Sequence, residues 1–311
     1  MQPFQYPLPN NATVAGIHSI PPPPPPASPI PHRPLLIGLH GGCYDSHYFD
    51  ATPNHSASFL STTLSVPFVS IDRPSYGGTS SILPIPEDSS FEEQTGHWLH
   101  HYILPKLWSE IGLPNQCTCI VLLCHSLGVM GGIVAAALHA QDKTKAYPLG
   151  GLIASGMGDT QSSFMKSTRL EFQLIDTEHV VFPVESKDTV MFKPGTATPD
   201  VLAQGERLNA VSPVAEVAGF ADTWLPIWKE KWAARVVVPV MFCLVAEDPF
   251  FVATEEEVEG CAGAFKGSAR VDASLVRGAP HCLELSLWSR GWYARCFGFA
   301  LECAASFAGS G

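Results

Sequence analysis

Short runs of consecutive apolar residues alternate with longer segments of helical spacing along most of this chain. The runs occupy residues 35–39, 66–71, 119–123, 149–155, 236–245 and 271–276. Runs of this kind are typical of strands that are buried on both faces of a parallel sheet. Helical spacing follows or separates them, over residues 91–108, 128–139 and 284–307. The alternation predicts an α/β fold with a doubly wound, mostly parallel sheet.

One block of the sequence interrupts this alternation. Residues 156–235 separate two apolar runs by far more than an ordinary crossover requires. We expect this block to be a helical lid, inserted into a core made of residues 1–155 and 236–311. Trp224, Trp228 and Trp232 recur in it at helical spacing, which predicts a lid helix with one aromatic face. That face either packs on the body as core or contacts the substrate and shapes its chain-length preference.

A run of six prolines occupies residues 21–26. Such a run favours an extended polyproline helix and cannot join a central strand. We expect a stiff surface loop that separates a short N-terminal hairpin from the main sheet, and docking to an SH3-type domain is the alternative.

Charge and cysteine content exclude several classes of function. The net charge is −11, and no run of Lys or Arg builds a surface for phosphates, so nucleic acid is not an expected partner. An acidic protein also does not attract anionic substrates, which favours neutral or apolar small molecules. The nine cysteines lack the paired spacing of a zinc site, so we expect reduced thiols in a cytoplasmic protein without metal or cofactor. Neither a secretion signal nor a membrane span is predicted.

The sharpest motif is the sequence Leu-Leu-Cys-His-Ser-Leu-Gly at residues 122–128. An apolar strand leads directly into Ser126, and small residues two positions before and after it are typical of a nucleophile elbow. Gly128 meets that requirement, and Cys124 replaces the usual first glycine with a side chain that is still sterically tolerable. His125 is expected to pack beneath the turn. A serine at an ordinary helix N-cap is the alternative interpretation.

Two further motifs make the chain resemble the α/β-hydrolase superfamily, in particular lidded serine hydrolases of the fungal AB hydrolase type. His40-Gly41-Gly42-Cys43 follows an apolar run, and residues 71–80 are similar to the superfamily's loop after the next strand, with Ser75 in place of a glycine. The resemblance extends from about residue 34 to the C terminus. It implies an oxyanion hole formed by the backbone N–H groups of Gly42 and Leu127, with Cys43 as a near alternative for Gly42.

The same resemblance implies the chain order serine, acid, histidine. His281 alone fits as the base, because no other histidine lies beyond residue 179. Asp248 is the expected acid, since it follows an apolar run and precedes Pro249. Glu247, on the same turn, and Asp159, one strand earlier, are the alternatives. Asp72 and Arg73 are expected to fix their loop rather than to act in catalysis.

Glu93, His97 and His101 form a competing constellation at four-residue steps on a predicted helix. They could share a face and bind a metal ion. Their order is not that of a zinc protease helix, so a solvated or partner-packing face is the preferred interpretation.

Together these residues predict a serine hydrolase that cleaves an ester, lactone or thioester of a small, fairly apolar molecule through an acyl-enzyme on Ser126. An acyltransferase or cyclase that forms a polyketide-type lactone would use the same intermediate, and its partner would be a carrier protein or synthase. A ligand-binding homologue without catalysis is the third hypothesis.

Overall fold

The computed structural model describes residues 1–23, 32–168 and 170–309. Its central feature is an eight-stranded sheet. The strands are β1 (Gln2–Pro7), β2 (Thr13–Ser19), β3 (Pro34–Leu39), β4 (Phe68–Ile71), β5 (Cys119–His125), β6 (Leu149–Ser155), β7 (Val240–Glu247) and β8 (Val271–Pro280). They are arranged in the order β1-β2-β4-β3-β5-β6-β7-β8, and every pair from β4 to β8 is parallel. The predicted doubly wound, mostly parallel α/β sheet is confirmed.

Helices cover both faces of this sheet. The main ones are α1 (Ser58–Leu64), α2 (Phe91–Trp98), α3 (Gly128–Gln141), α4 (Glu255–Ala262) and α5 (Ser289–Ala308). After α2 the chain continues through a π-helical turn (Leu99–Ile103), a short α-helix (Leu104–Leu107) and a second π-helical turn (Trp108–Gly112). Two 3-10 turns (Ser46–Phe49, Leu283–Leu285) and a two-stranded ribbon (Asp50–Thr52, His55–Ser56) lie in the connections.

Two hydrophobic cores lie on opposite sides of the sheet. In β3, Leu35 and Ile37 enter the core beneath α3 and α4, whereas Leu36 enters the core beneath α1 and α5. Successive side chains of a strand point to opposite faces, so a strand covered on both faces must be apolar at every position. This is why the central strands appear as unbroken apolar runs.

The N-terminal strands differ from the prediction in one respect. β1 and β2 do pair as an antiparallel hairpin. The hairpin is not separate from the main sheet, however, because β2 pairs antiparallel with β4, where Gly16 lies opposite Ile71. A Cβ atom on Gly16 would come within 2.2 Å of the Ser70 carbonyl oxygen, so this close pairing requires glycine. Within the proline run, residues 24–26 lie outside the described residues.

Residues 156–235 lie between β6 and β7. We expected a helical block, but these residues form both helices and strands. Their short helices are Ser163–Ser167, Val184–Met191, Pro199–Leu202, Val214–Val217, Phe220–Thr223 and Trp228–Lys231, followed by a 3-10 turn at Ala233–Arg235. They also contain a three-stranded antiparallel sheet of Gln173–Leu174, His179–Val181 and Ser212–Pro213. We call this block the insertion; that it acts as a lid stays a prediction.

The three tryptophans of the insertion are core residues. Trp224, Trp228 and Trp232 are all buried and join the core on the α2 and α3 side of the sheet. They do not follow one helix, because Phe220–Thr223 and Trp228–Lys231 are separate single turns. The predicted lid helix with an aromatic face is therefore wrong, and core packing is the alternative that the structure shows.

Candidate active site

Ser126 lies on a sharp turn between β5 and α3. Its backbone φ is 51°, a left-handed conformation that is unusual for any residue except glycine. The start of α3 also lies very close to the end of the neighbouring strand β3. A Cβ atom on Gly128 would come within 2.5 Å of the carbonyl oxygens of both Leu39 and His40. The side chain of Ser126 is thereby presented at the carboxyl end of the sheet, where ligands bind in open α/β folds.

The substitution of Cys124 for the usual glycine is accommodated by α3. Cys124 is fully buried, and a Cβ atom on Gly132 would lie only 2.4 Å from its sulfur. A glycine on the helix thus provides the space that the strand residue occupies. Burial also raises the pKa of the Cys124 thiol, so it stays protonated and is a poor nucleophile. All nine cysteines are buried and free of disulfide bonds.

The structure brings together Ser126, His281 and Asp248. Asp248 directly follows β7, and His281 directly follows β8. The Ser126 hydroxyl lies 3.0 Å from Nε2 of His281, and Nδ1 of His281 lies 2.8 Å from Oδ2 of Asp248. The other carboxylate oxygen accepts the N–H of Phe250 at 2.8 Å, which fixes the orientation of Asp248. An imidazole with its proton on Nδ1 satisfies both contacts, because it donates to the carboxylate and accepts from the hydroxyl.

The two alternative acids have other partners. Glu247 forms an ion pair with Lys193, with 2.9 Å between nitrogen and oxygen. Asp159 accepts a hydrogen bond from the indole N–H of Trp228 at 2.7 Å and pairs with Lys229 at 2.6 Å. Neither carboxylate is brought to His281.

The two expected oxyanion donors, the N–H groups of Gly42 and Leu127, belong to residues that lie next to each other near Ser126. Leu127 lies at the start of α3, where helix N–H groups have no partner within the helix. A Cβ atom on Gly42 would lie 2.7 Å from Cδ1 of Leu127, so the two residues face each other. The N–H of Cys43, the alternative donor, is already bonded to the Ser212 hydroxyl at 3.0 Å. Across the described ranges, no acceptor is found for the N–H of Gly42 or Leu127.

His40 organises the loop that carries Gly42, a role not anticipated from the sequence. Its Nδ1 donates to the Gly41 carbonyl at 2.7 Å, and its Nε2 accepts from the N–H of Arg73 at 3.1 Å. Burial, helped by the nearby positive charge of Arg73, lowers the pKa of His40 to about 3. The imidazole is therefore neutral, as its two opposite hydrogen bonds require. The only feature of the sequence that could have indicated this role is the position of His40 at the end of a strand.

An ion pair joins the insertion to the body next to this loop. The guanidinium of Arg73 donates to both carboxylate oxygens of Glu216, and the Tyr76 hydroxyl donates to the same carboxylate at 2.5 Å. Both charged side chains are only 1% exposed. Arg73 does fix its loop as expected, but its partner lies 143 residues away and was not foreseen.

A mostly apolar cavity of about 90 Å³ opens beside Ser126 and His281. Body and insertion both contribute to its walls. Its apolar lining includes Leu127, Met165, Phe182, Met191, Phe220 and Phe250. Such a surface suits a hydrocarbon group attached to the reacting carbon of a substrate.

The metal-binding alternative lacks a suitable geometry. Glu93 pairs with Lys231 at 2.5 Å, and the rings of His97 and His101 stack 5.7 Å apart. In the parts of the chain that the structure describes, no group of three or more His, Cys, Asp or Glu side chains is placed to hold a metal ion. Those parts likewise include no helix with the length and hydropathy needed to cross a membrane.

Comparison with known proteins gives one family match. The sequence model of the alpha/beta hydrolase family matches residues 36–290. A search of curated protein sequences finds no match.

Solved structures share the fold. A thermophilic esterase from Thermogutta terrifontis is 18% identical with a TM-score of 0.58, and the alignment covers 98% of this chain and 100% of that one. Proline iminopeptidase from Mycobacterium smegmatis is 14% identical with a TM-score of 0.62, covering 97% and 99%. Monoacylglycerol lipase from Paleococcus ferrophilus is 16% identical with a TM-score of 0.59, covering 97% and 100%.

Proposed function

This chain belongs to the alpha/beta hydrolase family, and from that membership we propose that it is a serine hydrolase acting on esters of small, fairly apolar molecules. Ser126 is the nucleophile, His281 the general base, and Asp248 the acid that orients the base. The observation that carries the proposal is the unbroken series of hydrogen-bond distances, 3.0 Å from Ser126 to His281 and 2.8 Å from His281 to Asp248.

The reaction begins when Oγ of Ser126 attacks the acyl carbon and its proton passes to Nε2 of His281. The oxyanion that forms accepts hydrogen bonds from the N–H groups of Gly42 and Leu127. Its collapse breaks the bond to the leaving oxygen, which takes the proton from His281 and departs as an alcohol. Water then attacks the acyl-enzyme by the same steps in reverse, which releases the acid and restores Ser126.

Two features support the role of the backbone donors. The N–H of Cys43 is already bonded to Ser212, which leaves Gly42 as the better placed donor of that loop. Leu127 lies at the positive end of the α3 dipole, which favours a negative oxygen at that position. Loss of one such donor typically lowers the rate about a hundredfold to a thousandfold.

The lining of the cavity supports an apolar acyl group. A thioester or a lactone would form the same acyl-enzyme, and an attacking alcohol in place of water would give acyl transfer or lactone formation. The experiment therefore includes a hydroxyacyl thioester, because free acid and lactone products differ in mass by one water.

The test combines labelling and turnover. We expect a fluorophosphonate probe to label Ser126, as located by peptide mapping, and p-nitrophenyl esters to be hydrolysed. Ser126→Ala should abolish both, whereas Ser109→Ala, at an exposed serine, should change neither. Labelling of another residue, or full turnover by Ser126→Ala, would contradict the proposal. An unlabelled wild type that still binds apolar esters would instead indicate a ligand-binding protein.

A second arm tests the cavity. Phe182→Ala removes an aromatic wall and should shift the preferred acyl chain to greater length. Trp228→Phe, at a core position away from the cavity lining, should reduce stability and leave chain-length preference unchanged. The same shift in both variants would argue against this cavity as the acyl site.

A further inference from the structure

A second carboxylate lies close to His281 and has no part in the mechanism above. Glu284, in the 3-10 turn Leu283–Leu285, is fully buried. Oε2 of Glu284 accepts the hydroxyl of Tyr48 at 2.7 Å, and Oε1 accepts the indole N–H of Trp292 at 2.8 Å. Ser155 Oγ lies 3.4 Å from Oε1, and His125 Nδ1 lies 3.4 Å from Oε2. Four polar groups from four separate elements thus converge on one carboxylate.

These neighbours favour the charged form of Glu284. An indole N–H can only donate, and the Tyr48 hydroxyl and His125 Nδ1 are placed to donate as well. Burial raises the pKa of Glu284, but the hydrogen bonds from Tyr48 and Trp292 oppose that effect. A buried negative charge with neutral donors on both oxygens has no permanent positive partner, which is energetically costly.

The missing positive charge can form on His281. The ring of His125 separates the two residues: its centroid lies 5.0 Å from that of His281, while its Nδ1 faces Glu284. His125 itself cannot supply the charge, because burial and the neighbouring His281 hold its pKa well below the usual value. His281 takes up a proton when Ser126 attacks the substrate, so a positive charge then arises near Glu284.

We propose that Glu284 is a positioning residue: a second, buried carboxylate that stabilises the protonated form of His281 across the intervening ring of His125. Asp248 holds the imidazole by direct contact, and Glu284 adds an electrostatic contribution without contact. This inference rests on the proposed function, because it requires His281 to be the base.

Among the described residues, no Lys or Arg forms an ion pair with Glu284; the guanidinium of Arg295 lies 5.4 Å from the centre of the Trp292 ring, on a direct partner of Glu284. The titratable groups around it are Tyr48, His125, His281, Tyr293, Cys243, Cys282 and Cys296. Burial raises the pKa of every tyrosine and cysteine in this set, so all of them stay neutral near pH 7. Removal of the charge on Glu284 should therefore act mainly on His281.

Glu284→Gln tests this with little change in shape. The amide oxygen can accept from Trp292, and the amide NH2 can donate to the Tyr48 hydroxyl, which is able to accept. We expect the acid limb of the kcat/KM profile for a p-nitrophenyl ester to move down by about one pH unit, a tenfold change in proton binding. The plateau rate should fall by about tenfold. Glu284→Asp retains the charge and should keep the limb near its wild-type position.

Glu92→Gln is the matched control. Glu92 is also buried, and burial raises its pKa, but it accepts the Thr223 hydroxyl in the contact between α2 and the insertion. The Glu92→Gln variant should lower stability without moving the acid limb of the kcat/KM profile. A folded Glu284→Gln variant with an unmoved limb, or an equal movement in Glu92→Gln, would overturn the proposal, even if turnover fell.

NMR separates this inference from the proposed function. The midpoint of the His281 ring titration, assigned by comparison with His281→Gln, should move down in Glu284→Gln whether or not an ester is turned over. An unmoved midpoint overturns the role of Glu284. Absence of wild-type ester turnover and of Ser126 labelling overturns only the proposed function. If Glu284→Gln does not fold, Glu284→Met, which also removes the charge at a similar side-chain length, takes its place, and an unmoved midpoint overturns the role of Glu284 in the same way.

Discussion

Glu216→Gln should destabilise the protein strongly, because it breaks the buried ion pair of Glu216 with Arg73, which joins the insertion to the body. Arg73 and Glu216 are each 1% exposed, and the variant leaves the guanidinium buried without a counter-charge. Removal of one partner from a buried pair costs about 3–5 kcal/mol. Unfolding entropy of about 2.1 cal/mol/K per residue amounts to about 0.65 kcal/mol/K for this chain, so Tm should fall by about 5–8 °C.

Urea unfolding and thermal scans measure this change directly. The matched control is Glu230→Gln, which breaks an exposed ion pair with Lys266 and should cost at most about 1 kcal/mol. Tyr76→Phe removes a single hydrogen bond to the Glu216 carboxylate and should cost about 1.5–3 kcal/mol. If Glu216→Gln were no more damaging than Glu230→Gln, the reasoning from burial would be refuted.

A fully apolar replacement completes the test. The triple variant Arg73→Met, Tyr76→Phe and Glu216→Leu removes the three polar side chains of this contact together. It should recover most of the lost stability, because the desolvation penalty disappears along with the attraction. A triple variant as unstable as Glu216→Gln would show that shape, rather than charge, makes this contact essential.

Three further predictions concern the active site. Asp248→Asn should lower kcat by about three to four orders of magnitude by disturbing the imidazole tautomer, whereas Glu247→Gln should stay within a few-fold in the same ester assay. Gly128→Ala should cost about 3 kcal/mol in urea unfolding, because its Cβ atom would overlap two backbone carbonyl oxygens, and a cost under 1 kcal/mol would contradict the packing argument. The pKa of His40 is lowered to about 3 in the folded protein, so between pH 6.5 and pH 3 the unfolded chain protonates this side chain more readily than the folded one. The free energy of unfolding should therefore fall by about 1.6 kcal/mol between pH 6.5 and pH 5, and His40→Gln should lack that part of the decrease.

Much of the fold could be predicted because its signals are local. A strand buried on both faces must be apolar at every position, so the central strands were visible as continuous runs. The small residue at 128 follows from a steric requirement within a few residues of Ser126. The positions of Asp248 and His281 were implied by the resemblance to the α/β-hydrolase superfamily. The structure places their side chains in a hydrogen-bonded series with Ser126, and their catalytic roles stay proposals.

The same local reasoning failed where the outcome depends on distant partners. The spacing of the tryptophans predicts one helix. Instead, this segment forms separate single turns, and each indole ring packs into the body. The N-terminal hairpin looked separate across a proline run, yet β2 pairs with β4 through hydrogen bonds that have no signature in side-chain pattern.

What the amino-acid order by itself determined is the apolar strands of the sheet and the tight turn at Ser126, since each of these depends on neighbours along the chain. What only the tertiary structure decided is the pairing of buried charges: Glu216 with Arg73, and Glu284 beneath His281 with Tyr48 and Trp292. A charged side chain can be buried only where folding gathers its partners from remote segments, and no spacing within one segment encodes that meeting.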